Sequence, residues 1–248
     1  MRARGHPLQY LLGTQPFGDL DLSCPRGVLI PRAETEEMAV YLAARMAGRG
    51  GVTAVVDLCS GGGCISLVLA RAARRVLGLD VSPRAVAAGV GNLERNRRVL
   101  GGVDVRFLRG DVLWVDETVA VVREWAGSGG RGEVVDLVVA NPPYVSQRGY
   151  DTETERSVRW FEPRLALVPS GGDGDAFYPV IGEVAGLLGA KGVVVEVGGW
   201  DQARRVKGMW EGRGSWDGVT IWADFAGIGR TVVAWRKGWE WLEAGPHM

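Results

Sequence analysis

One short stretch decides the fold of this chain: Val55-Val56-Asp57-Leu58-Cys59-Ser60-Gly61-Gly62-Gly63-Cys64. It predicts a strand that ends in an acidic residue, followed by a glycine turn that enters a helix. Glycine lets the backbone approach a ligand closely and adopt positive φ values where a Cβ atom would clash. The turn is not a dinucleotide fingerprint, since the third glycine of G-x-G-x-x-G falls on Ser66. Alone, it is weak evidence for a cofactor.

Acidic residues at the ends of the next two predicted strands strengthen that evidence. Asp80 follows Asp57 by roughly the 20 residues at which an acid reaches ribose hydroxyls. Asp111 follows the next strand, where an acceptor can face an adenine amino group. Each acid alone can be a helix cap, as for Asp80 before Ser82-Pro83. Together they predict a pocket that binds adenosine and lacks a binding site for a pyrophosphate group. S-adenosylmethionine fits such a pocket, because it is cationic at sulfur and lacks phosphate. The predicted cofactor-binding residues are Asp57, Cys59, Ser60, Gly61, Gly62, Gly63, Asp80, Val81, Asp111, Val112 and Asn141.

Apolar runs alternate with helical patterns, which predicts a mostly parallel, doubly wound α/β sheet. The predicted strands are 52–58, 75–80, 103–108, 134–140 and 192–197, then 219–222 and 231–236. The predicted helices are 33–46, 64–73, 83–97, 117–125, 175–188 and 202–210, with a hairpin-like lead-in over 17–30 and a glycine-rich loop over 127–132. Five alternating strands followed by a terminal hairpin are the order of a class I S-adenosylmethionine-dependent methyltransferase fold. We therefore expect a seven-stranded, mostly parallel sheet with a C-terminal antiparallel hairpin.

The fourth predicted strand runs directly into the candidate catalytic group, Asn141-Pro142-Pro143-Tyr144. Open α/β sheets bind ligands at the carboxyl ends of their strands. An amide or arylamine nitrogen is a weak nucleophile because its lone pair is delocalised, so both of its N–H groups need acceptors. Asn141 Oδ1 and the Pro142 carbonyl can accept them, since proline fixes φ and removes a competing donor. Pro143 shapes the turn and Tyr144 can lie flat against the planar group. A Pro-Pro turn that only ends a strand is the alternative.

Composition narrows the class of protein. The 248 residues, 46% of them hydrophobic, suffice for one large α/β domain with a short N-terminal appendage. Lys plus Arg and Asp plus Glu are balanced at 29 each, which gives no electrostatic argument for a polyanion partner. The three cysteines form no CxxC pair, so we expect neither a disulfide framework nor a metal site. No apolar run reaches the roughly 18 residues that cross a bilayer, so we expect no membrane partner.

Further motifs carry a resemblance to a known family. They are Gly5-His6-Pro7-Leu8-Gln9-Tyr10-Leu11-Leu12-Gly13, Gly27-Val28-Leu29-Ile30-Pro31-Arg32-Ala33-Glu34-Thr35-Glu36, Glu162-Pro163, Gly171-Gly172-Asp173-Gly174 and residues 196–202. With Asn141-Pro142-Pro143-Tyr144, they resemble the HemK-type protein-(glutamine-N5) methyltransferases over about residues 5–236. The tetrapeptide also occurs in adenine-N6 and guanine-N2 nucleic-acid methyltransferases, but the Ile30 to Glu36 block is similar to the protein-modifying branch. The amino-acid sequences of residues 13–18 and 57–61 are similar to those of mitochondrial, particularly fungal, members of the family.

The resemblance implies an activity, a partner and a compartment. The implied reaction moves a methyl group from S-adenosylmethionine to the side-chain amide nitrogen of the glutamine in a release factor's Gly-Gly-Gln loop, leaving S-adenosylhomocysteine. It implies a mitochondrial location, or otherwise a cytoplasmic one, although no targeting peptide is evident. The family's N-terminal helical substrate-binding domain is not present in the sequence. The expected parts are a linker and hairpin lead-in over 1–32, a catalytic domain over 33–240 and a tail over 241–248.

Two other functions remain open from the residues. The chain can be a methyltransferase for exocyclic amines of DNA or RNA, which arginine clusters at 71–75 and 95–98 favour. The neutral overall charge and the lack of a nucleic-acid-binding module argue against direct nucleic-acid binding. It can also be a degenerate fold that serves as a non-catalytic scaffold, although the catalytic tetrapeptide is intact.

Overall fold

The computed structural model describes residues 5–128 and 135–247, and its centre is a seven-stranded sheet. A two-stranded hairpin precedes the sheet, formed by β1 (Thr14–Phe17) and β2 (Leu20–Ser23). The strands of the sheet are β3 (Ala54–Leu58), β4 (Arg75–Asp80), β5 (Asp104–Arg109), β6 (Leu137–Ala140), β7 (Gly192–Glu196), β8 (Gly218–Ala223) and β9 (Gly229–Trp235).

The sheet is parallel except at one edge. Its strands lie in the order β5-β4-β3-β6-β7-β9-β8. The first five are parallel to one another, whereas β9 runs antiparallel to β7 and β8 antiparallel to β9. The direction of winding reverses between β3 and β6, so their carboxyl ends form the switch point where such sheets bind ligands. This arrangement confirms the predicted class I methyltransferase fold.

Helices cover both faces of the sheet. The α-helices of the described residues are α1 (Leu8–Leu12), α2 (Ala33–Arg49), α3 (Cys64–Leu69), α4 (Pro83–Arg95), α5 (Arg97–Leu100), α6 (Val115–Gly127), α7 (Gln147–Thr152), α8 (Arg156–Phe161), α9 (Phe177–Leu187) and α10 (Trp200–Gly212). Val56 and Val138 pack with α6, α9 and α10 on one face, whereas Val55 and Val139 pack with α2 and α3 on the other. Because both faces are covered, the strands appear in the sequence as continuous apolar runs.

Two asparagines attach the N-terminal hairpin to α4. Ser23 N donates to Asn92 Oδ1 over 2.7 Å, and Asp21 N donates to Asn96 Oδ1 over 3.0 Å. Asn96 Nδ2 also donates to the Asp21 carbonyl. The helix predicted over 83–97 divides at Asn96, where the backbone leaves helical geometry to give α4 and α5. The chain that follows the hairpin is thereby held beside the carboxyl edge of the sheet.

Some predicted boundaries differ from those of the structure. β6 begins at Leu137, and the Asp136 carboxylate just before it accepts from Thr53 N over 2.6 Å and forms an ion pair with Lys191. Asp136 therefore ties the start of the strand to its neighbours through its side chain. Residue 134 of that predicted strand, and most of the loop predicted over 127–132, lie outside the described residues. The helix predicted over 64–73 ends at Leu69.

The last described residues pack against the domain. Leu242 is fully buried, and its carbonyl accepts from Trp222 Nε1 over 3.1 Å. Tyr41 of α2 donates its hydroxyl to the Ala244 carbonyl. Across residues 5–128 and 135–247, no helix is long and apolar enough to cross a membrane. The same residues include no group of three or more His, Cys, Asp or Glu side chains able to hold a metal ion.

Candidate active site

The carboxyl ends of β3, β4, β5 and β6 surround a cavity of about 970 Å³, counting its open mouth. The opposite wall comes from residues 27–29, after the hairpin, and from residues 163–170, after the Asn-Pro-Pro-Tyr segment. Asp80 and Asp111 line the cavity, whereas no lysine, arginine or histidine among the described residues does. The cavity therefore suits a neutral or cationic ligand better than a phosphate.

The turn after β3 brings backbone to the floor of the cavity. Cys59 has a φ of 60°, which makes it the non-glycine residue in the left-handed region within the described chain. Gly61 N donates to Asp80 Oδ2 over 2.8 Å. Gly63 has a φ of 82°, and a Cβ there would lie 2.5 Å from the Phe107 ring. The glycines thus let the turn pass close to β5 while Cys59 and Gly61 line the cavity.

Asp80 is oriented entirely by backbone donors. Its Oδ2 accepts from Gly61 N, and its Oδ1 accepts from Ser82 N over 2.8 Å. Burial raises the pKa of Asp80, which the two backbone hydrogen bonds partly offset. Each carboxylate oxygen has a second lone pair, so Asp80 can still accept from two ligand hydroxyls.

An apolar slot lies beside Asp80. Its walls are Val81, Val112 and Leu113, all of which line the cavity. Asp111 also lines the cavity, and its Oδ1 accepts from Leu113 N over 3.1 Å. Apolar walls with an acceptor beside them suit a flat heteroaromatic ring that carries an amino group.

Asp57 lies below the cavity floor and does not line it. It is fully buried, and its Oδ2 accepts from Ser66 N over 3.0 Å and from Ser66 Oγ over 2.6 Å. Burial raises the pKa of Asp57 to about 7, against the opposing effect of the two Ser66 hydrogen bonds. These bonds fix α3 to the end of β3. Ser60, Gly62 and Gly63 are likewise absent from the cavity wall, so direct cofactor contacts by these four residues stay predictions.

The predicted catalytic tetrapeptide lies partly inside the cavity. Asn141 and Pro143 line it, and Pro142 is buried beside them. Asn141 Nδ2 donates to Thr35 Oγ1 over 3.1 Å, and within the described chain no donor reaches Asn141 Oδ1. Tyr144 lines an adjoining groove with Ser146, Gly174 and Gln202 among others.

A buried carboxylate lies behind the tetrapeptide. Glu196 Oε2 accepts from Thr35 Oγ1 over 2.6 Å, and Glu196 Oε1 accepts from the Tyr144 hydroxyl over 3.1 Å. Burial raises the pKa of Glu196 to about 7, partly offset by the hydrogen bonds from Thr35 and Tyr144. The Tyr178 hydroxyl donates to the Glu196 backbone carbonyl. Asn141, Thr35, Glu196 and Tyr144 are therefore one hydrogen-bonded group.

A second carboxylate joins the two parts of the cavity's far wall. Glu162 accepts from Ile30 N over 3.1 Å and from Arg32 Nη2 over 2.7 Å. Its side chain is only 2% exposed, whereas that of Arg32 is 32% exposed. Because Glu162 immediately precedes residues 163–170, this pair ties them to the segment that holds residues 27–29.

Sequence reasoning assigned no role to Thr35, Glu162 or Glu196. All three lie in motifs that carry the family resemblance, and that is the signal that singles them out. Their spacing carries no further information, because Thr35 and Glu196 are 161 positions apart.

The residues present fit S-adenosylmethionine. The Asp80 carboxylate can accept from the ribose hydroxyls. The apolar residues beside Asp111 suit adenine, and a cavity wall without basic side chains suits a sulfonium. Asp80, Val81, Asp111, Val112 and the turn at Cys59 and Gly61 are the residues that would hold it.

Comparison with known proteins places the chain in a family, although no protein-family model matches it. The chain is 33% identical over 252 residues to the Schizosaccharomyces pombe protein named probable MRF1 mitochondrial N(5)-glutamine methyltransferase mtq1, covering 96% of this chain and 77% of that protein. It is 35% identical over 240 residues to the release factor glutamine methyltransferase of Moorella thermoacetica, covering 95% and 77% of the two chains.

Solved structures agree on the fold. The catalytic domain of hMettl16, in complex with a MAT2A 3'UTR hairpin, superposes with a TM-score of 0.62 at 16% identity, covering 89% of this chain and 76% of that one. Human methyltransferase 10 domain containing protein gives a TM-score of 0.59 at 16% identity, over 95% and 94% of the two chains. At such identities the likeness shows the fold alone. The sequence relatives, in contrast, confirm the predicted enzyme class, and the chain belongs to the family of release factor glutamine methyltransferases.

Proposed function

We propose that this chain transfers a methyl group from S-adenosylmethionine to the side-chain amide nitrogen of the glutamine in the Gly-Gly-Gln loop of a peptide chain release factor. One observation carries the proposal. Asn141 lines the cavity at the switch point of the sheet while its Nδ2 donates to Thr35, which leaves Oδ1 to accept from a substrate. A planar NH2 group is the kind of substrate that needs such an acceptor.

The reaction places definite demands on the acceptor end of the cavity. S-adenosylmethionine supplies an electrophilic methyl group. The glutamine nitrogen forms the new N–C bond, the electron pair of the broken C–S bond stays on sulfur, and the surplus proton of the nitrogen leaves to water. Asn141 Oδ1 and the Pro142 carbonyl would each accept one N–H group, which holds the amide in the orientation for attack. Positioning of this kind can supply several kcal/mol of the barrier.

No strong base is required at the site, because the amide becomes acidic as it is alkylated. The chain has two histidines, His6 and His247, and neither lines the cavity. Tyr144 is fixed at its hydroxyl end by Glu196, and we propose that its ring limits the tilt of the substrate amide. Pro143 keeps the turn beside it rigid.

The cofactor end has its own assignments. We propose that Asp80 accepts from the ribose hydroxyls, that the slot between Val81 and Val112 takes the adenine, and that Asp111 faces its amino group. The backbone at Gly61 would approach the remainder of the cofactor, since no side chain there blocks it. Asp57 would hold α3 in place through Ser66, and its direct contact with the cofactor stays a prediction.

The names of the relatives support a partner and a compartment. The fission yeast relative is named for a mitochondrial partner, MRF1, whereas the bacterial relatives are named for release factors in general. We propose a release factor as the partner of this chain and the mitochondrion as its location.

The direct test is mass spectrometry of a release factor after incubation with the chain and S-adenosylmethionine. We expect a gain of one CH2 unit that maps to the Gly-Gly-Gln glutamine. A release factor with that glutamine changed to glutamate is the matched control and should gain nothing. Methylation of an oligonucleotide's exocyclic amines, with the release factor unmodified, would overturn the proposal.

A further inference from the structure

We propose that Thr35 and Glu196 are positioning residues that determine which end of the Asn141 carboxamide faces the substrate. The inference deepens the proposed function and rests on it for the identity of the acceptor amide. Asn141 can help an incoming NH2 group only through Oδ1, because its own NH2 group would repel that donor. A carboxamide can rotate by half a turn with little change in shape, so something must select between the two orientations.

A chain of hydrogen bonds from Asn141 through Thr35 to Glu196 selects the orientation of the Asn141 carboxamide. Thr35 has one hydroxyl proton, and Thr35 Oγ1 lies 2.6 Å from Glu196 Oε2. An ionised carboxylate only accepts, so the Thr35 proton is committed to Glu196. Toward Asn141, 3.1 Å away, Thr35 can then only accept. Asn141 must therefore turn Nδ2 to Thr35 and Oδ1 away from it, toward the cavity.

The hydrogen bonds that orient Asn141 lie where water does not compete for their donors and acceptors. Thr35 and Glu196 are each 1% exposed. The second oxygen of Glu196 accepts from Tyr144, and the backbone carbonyl of Glu196 accepts from Tyr178. Both ends of Glu196 are thus held, which fixes the oxygen that receives the Thr35 proton. The same carboxylate orients two members of the catalytic tetrapeptide.

Protonation of Glu196 would remove the selection. The carboxyl could then donate to Thr35, whose own proton would be free for Asn141 Oδ1, and both carboxamide orientations would be satisfied. Burial raises the pKa of Glu196 to about 7. The ionisable groups that face it are Glu34 of α2, Cys64 of α3, Tyr144 and Tyr178, and Arg230 of β9. Methyl transfer should therefore increase as the pH rises through about 7.

The test compares three variants of the full chain. Thr35→Val keeps the shape and removes the hydroxyl, Thr35→Ser keeps the hydroxyl, and Glu196→Gln makes the neutral state permanent. We expect Thr35→Val and Glu196→Gln to lower kcat by about 10- to 100-fold, the usual effect of losing a residue that orients a reacting group. Both should lose the rise of kcat near pH 7, and the Kd for S-adenosylmethionine should stay near that of the wild type. Thr35→Ser should recover kcat and the pH dependence.

A second measurement does not depend on turnover. In the ¹⁵N-labelled chain, the side-chain NH2 resonances of Asn141, identified by their loss in Asn141→Ala, should shift with pH through about 7. Thr35→Val should abolish that shift. The inference would be overturned if the Asn141 resonances changed neither with pH nor in Thr35→Val. It would also be overturned if the Thr35→Val enzyme kept the wild-type kcat and pH profile. A wild-type chain that does not methylate the glutamine would refute the proposed function instead, and the resonances would still decide the role of Thr35. If Glu196→Gln does not fold, the isosteric Thr35→Val decides the question.

Discussion

The two ends of the cavity are built in different ways. At the proposed cofactor end, the carboxylates accept from backbone donors at most 19 positions away, Asp80 from Ser82 N and Gly61 N and Asp111 from Leu113 N. At the acceptor end, Asn141 is oriented by Thr35, 106 positions away. The cofactor end therefore depends on β3, β4 and β5 and on the turns that follow them. The acceptor end exists only once α2, β6 and β7 have assembled.

Removing the side-chain acceptor of Asn141 should give the largest effect. It should also show whether the two ends of the cavity function independently. We expect Asn141→Ala to lower the rate of methyl transfer by about 10²- to 10³-fold, the usual cost of losing one preorganised polar group at a reacting centre. The Kd for S-adenosylmethionine should change little, because Asp80 and Asp111 remain in place. Single-turnover rates on the release factor, with calorimetry for the cofactor, measure the two quantities. Equal losses in rate and in cofactor affinity would show that the ends are not independent.

The same contrast explains what the sequence could reveal. The strands were predictable, because burial on both faces gives β3 and β6 continuous apolar runs. The positions of Asp80 and Asp111 in the cavity wall were predictable, because each lies at or just after the carboxyl end of a strand. Thr35, Glu162 and Glu196 could not be assigned roles from spacing, since their partners are distant in the chain. Asp57 has the position of a cofactor ligand, but its Oδ2 accepts from Ser66 of α3, a contact that a strand-end pattern does not reveal, and its direct contact with the cofactor stays a prediction.

Acidity should act on both ends at once, through one buried carboxylate at each. Burial raises the pKa of Asp57 from 3.8 to about 7 and that of Glu196 from 4.5 to about 7. The folded state therefore holds these protons more tightly than the unfolded chain does. Their stabilising contribution is complete below the ordinary pKa values and is lost as the pH rises to about 7. We expect each carboxyl to lower the free energy of unfolding by a few kcal/mol across that range, since one pKa unit is worth about 1.4 kcal/mol.

Urea unfolding at a series of pH values measures this loss. Asp57→Asn and Glu196→Gln should each remove part of the slope, and the double variant should remove most of it. Asp175 acts in the opposite sense in a more acidic range, because the hydrogen bond from Arg205 lowers its pKa. Methyl transfer should rise with pH over the interval in which stability falls. A stability that rises with pH from 4.5 to 7 would contradict the buried, proton-holding state of both carboxylates.

A smaller effect should test the cofactor end alone. Asp80→Asn keeps the shape of the side chain but removes its charge and turns an NH2 group toward one of its two backbone donors, Gly61 N or Ser82 N, which weakens the turn as well as the ligand contact. We expect the Kd for S-adenosylmethionine to rise by about 10-fold, since a hydrogen bond to a charged group is worth about 1.5–3 kcal/mol and part of it is retained. The kcat at saturating cofactor should stay near the wild-type value. An unchanged Kd would remove the assignment of Asp80 to the ribose hydroxyls.

The smallest effect should come from Cys59→Gly, at a position where the cofactor end depends on backbone geometry. Cys59 has a φ of 60°, a conformation that costs an L-residue on the order of 1–2 kcal/mol. Cys59→Gly relieves that cost but gives up thiol packing and about 0.5–1 kcal/mol of chain entropy, so the net change in unfolding free energy should stay within about 1 kcal/mol. Cys59→Val should lose about 1–3 kcal/mol, because a β-branched side chain resists this backbone. Burial raises the pKa of the Cys59 thiol well above its usual range, so no loss of a nucleophile accompanies either change. Glycine and valine variants of equal stability, measured by urea unfolding, would show that tertiary contacts rather than the local turn hold this end in place.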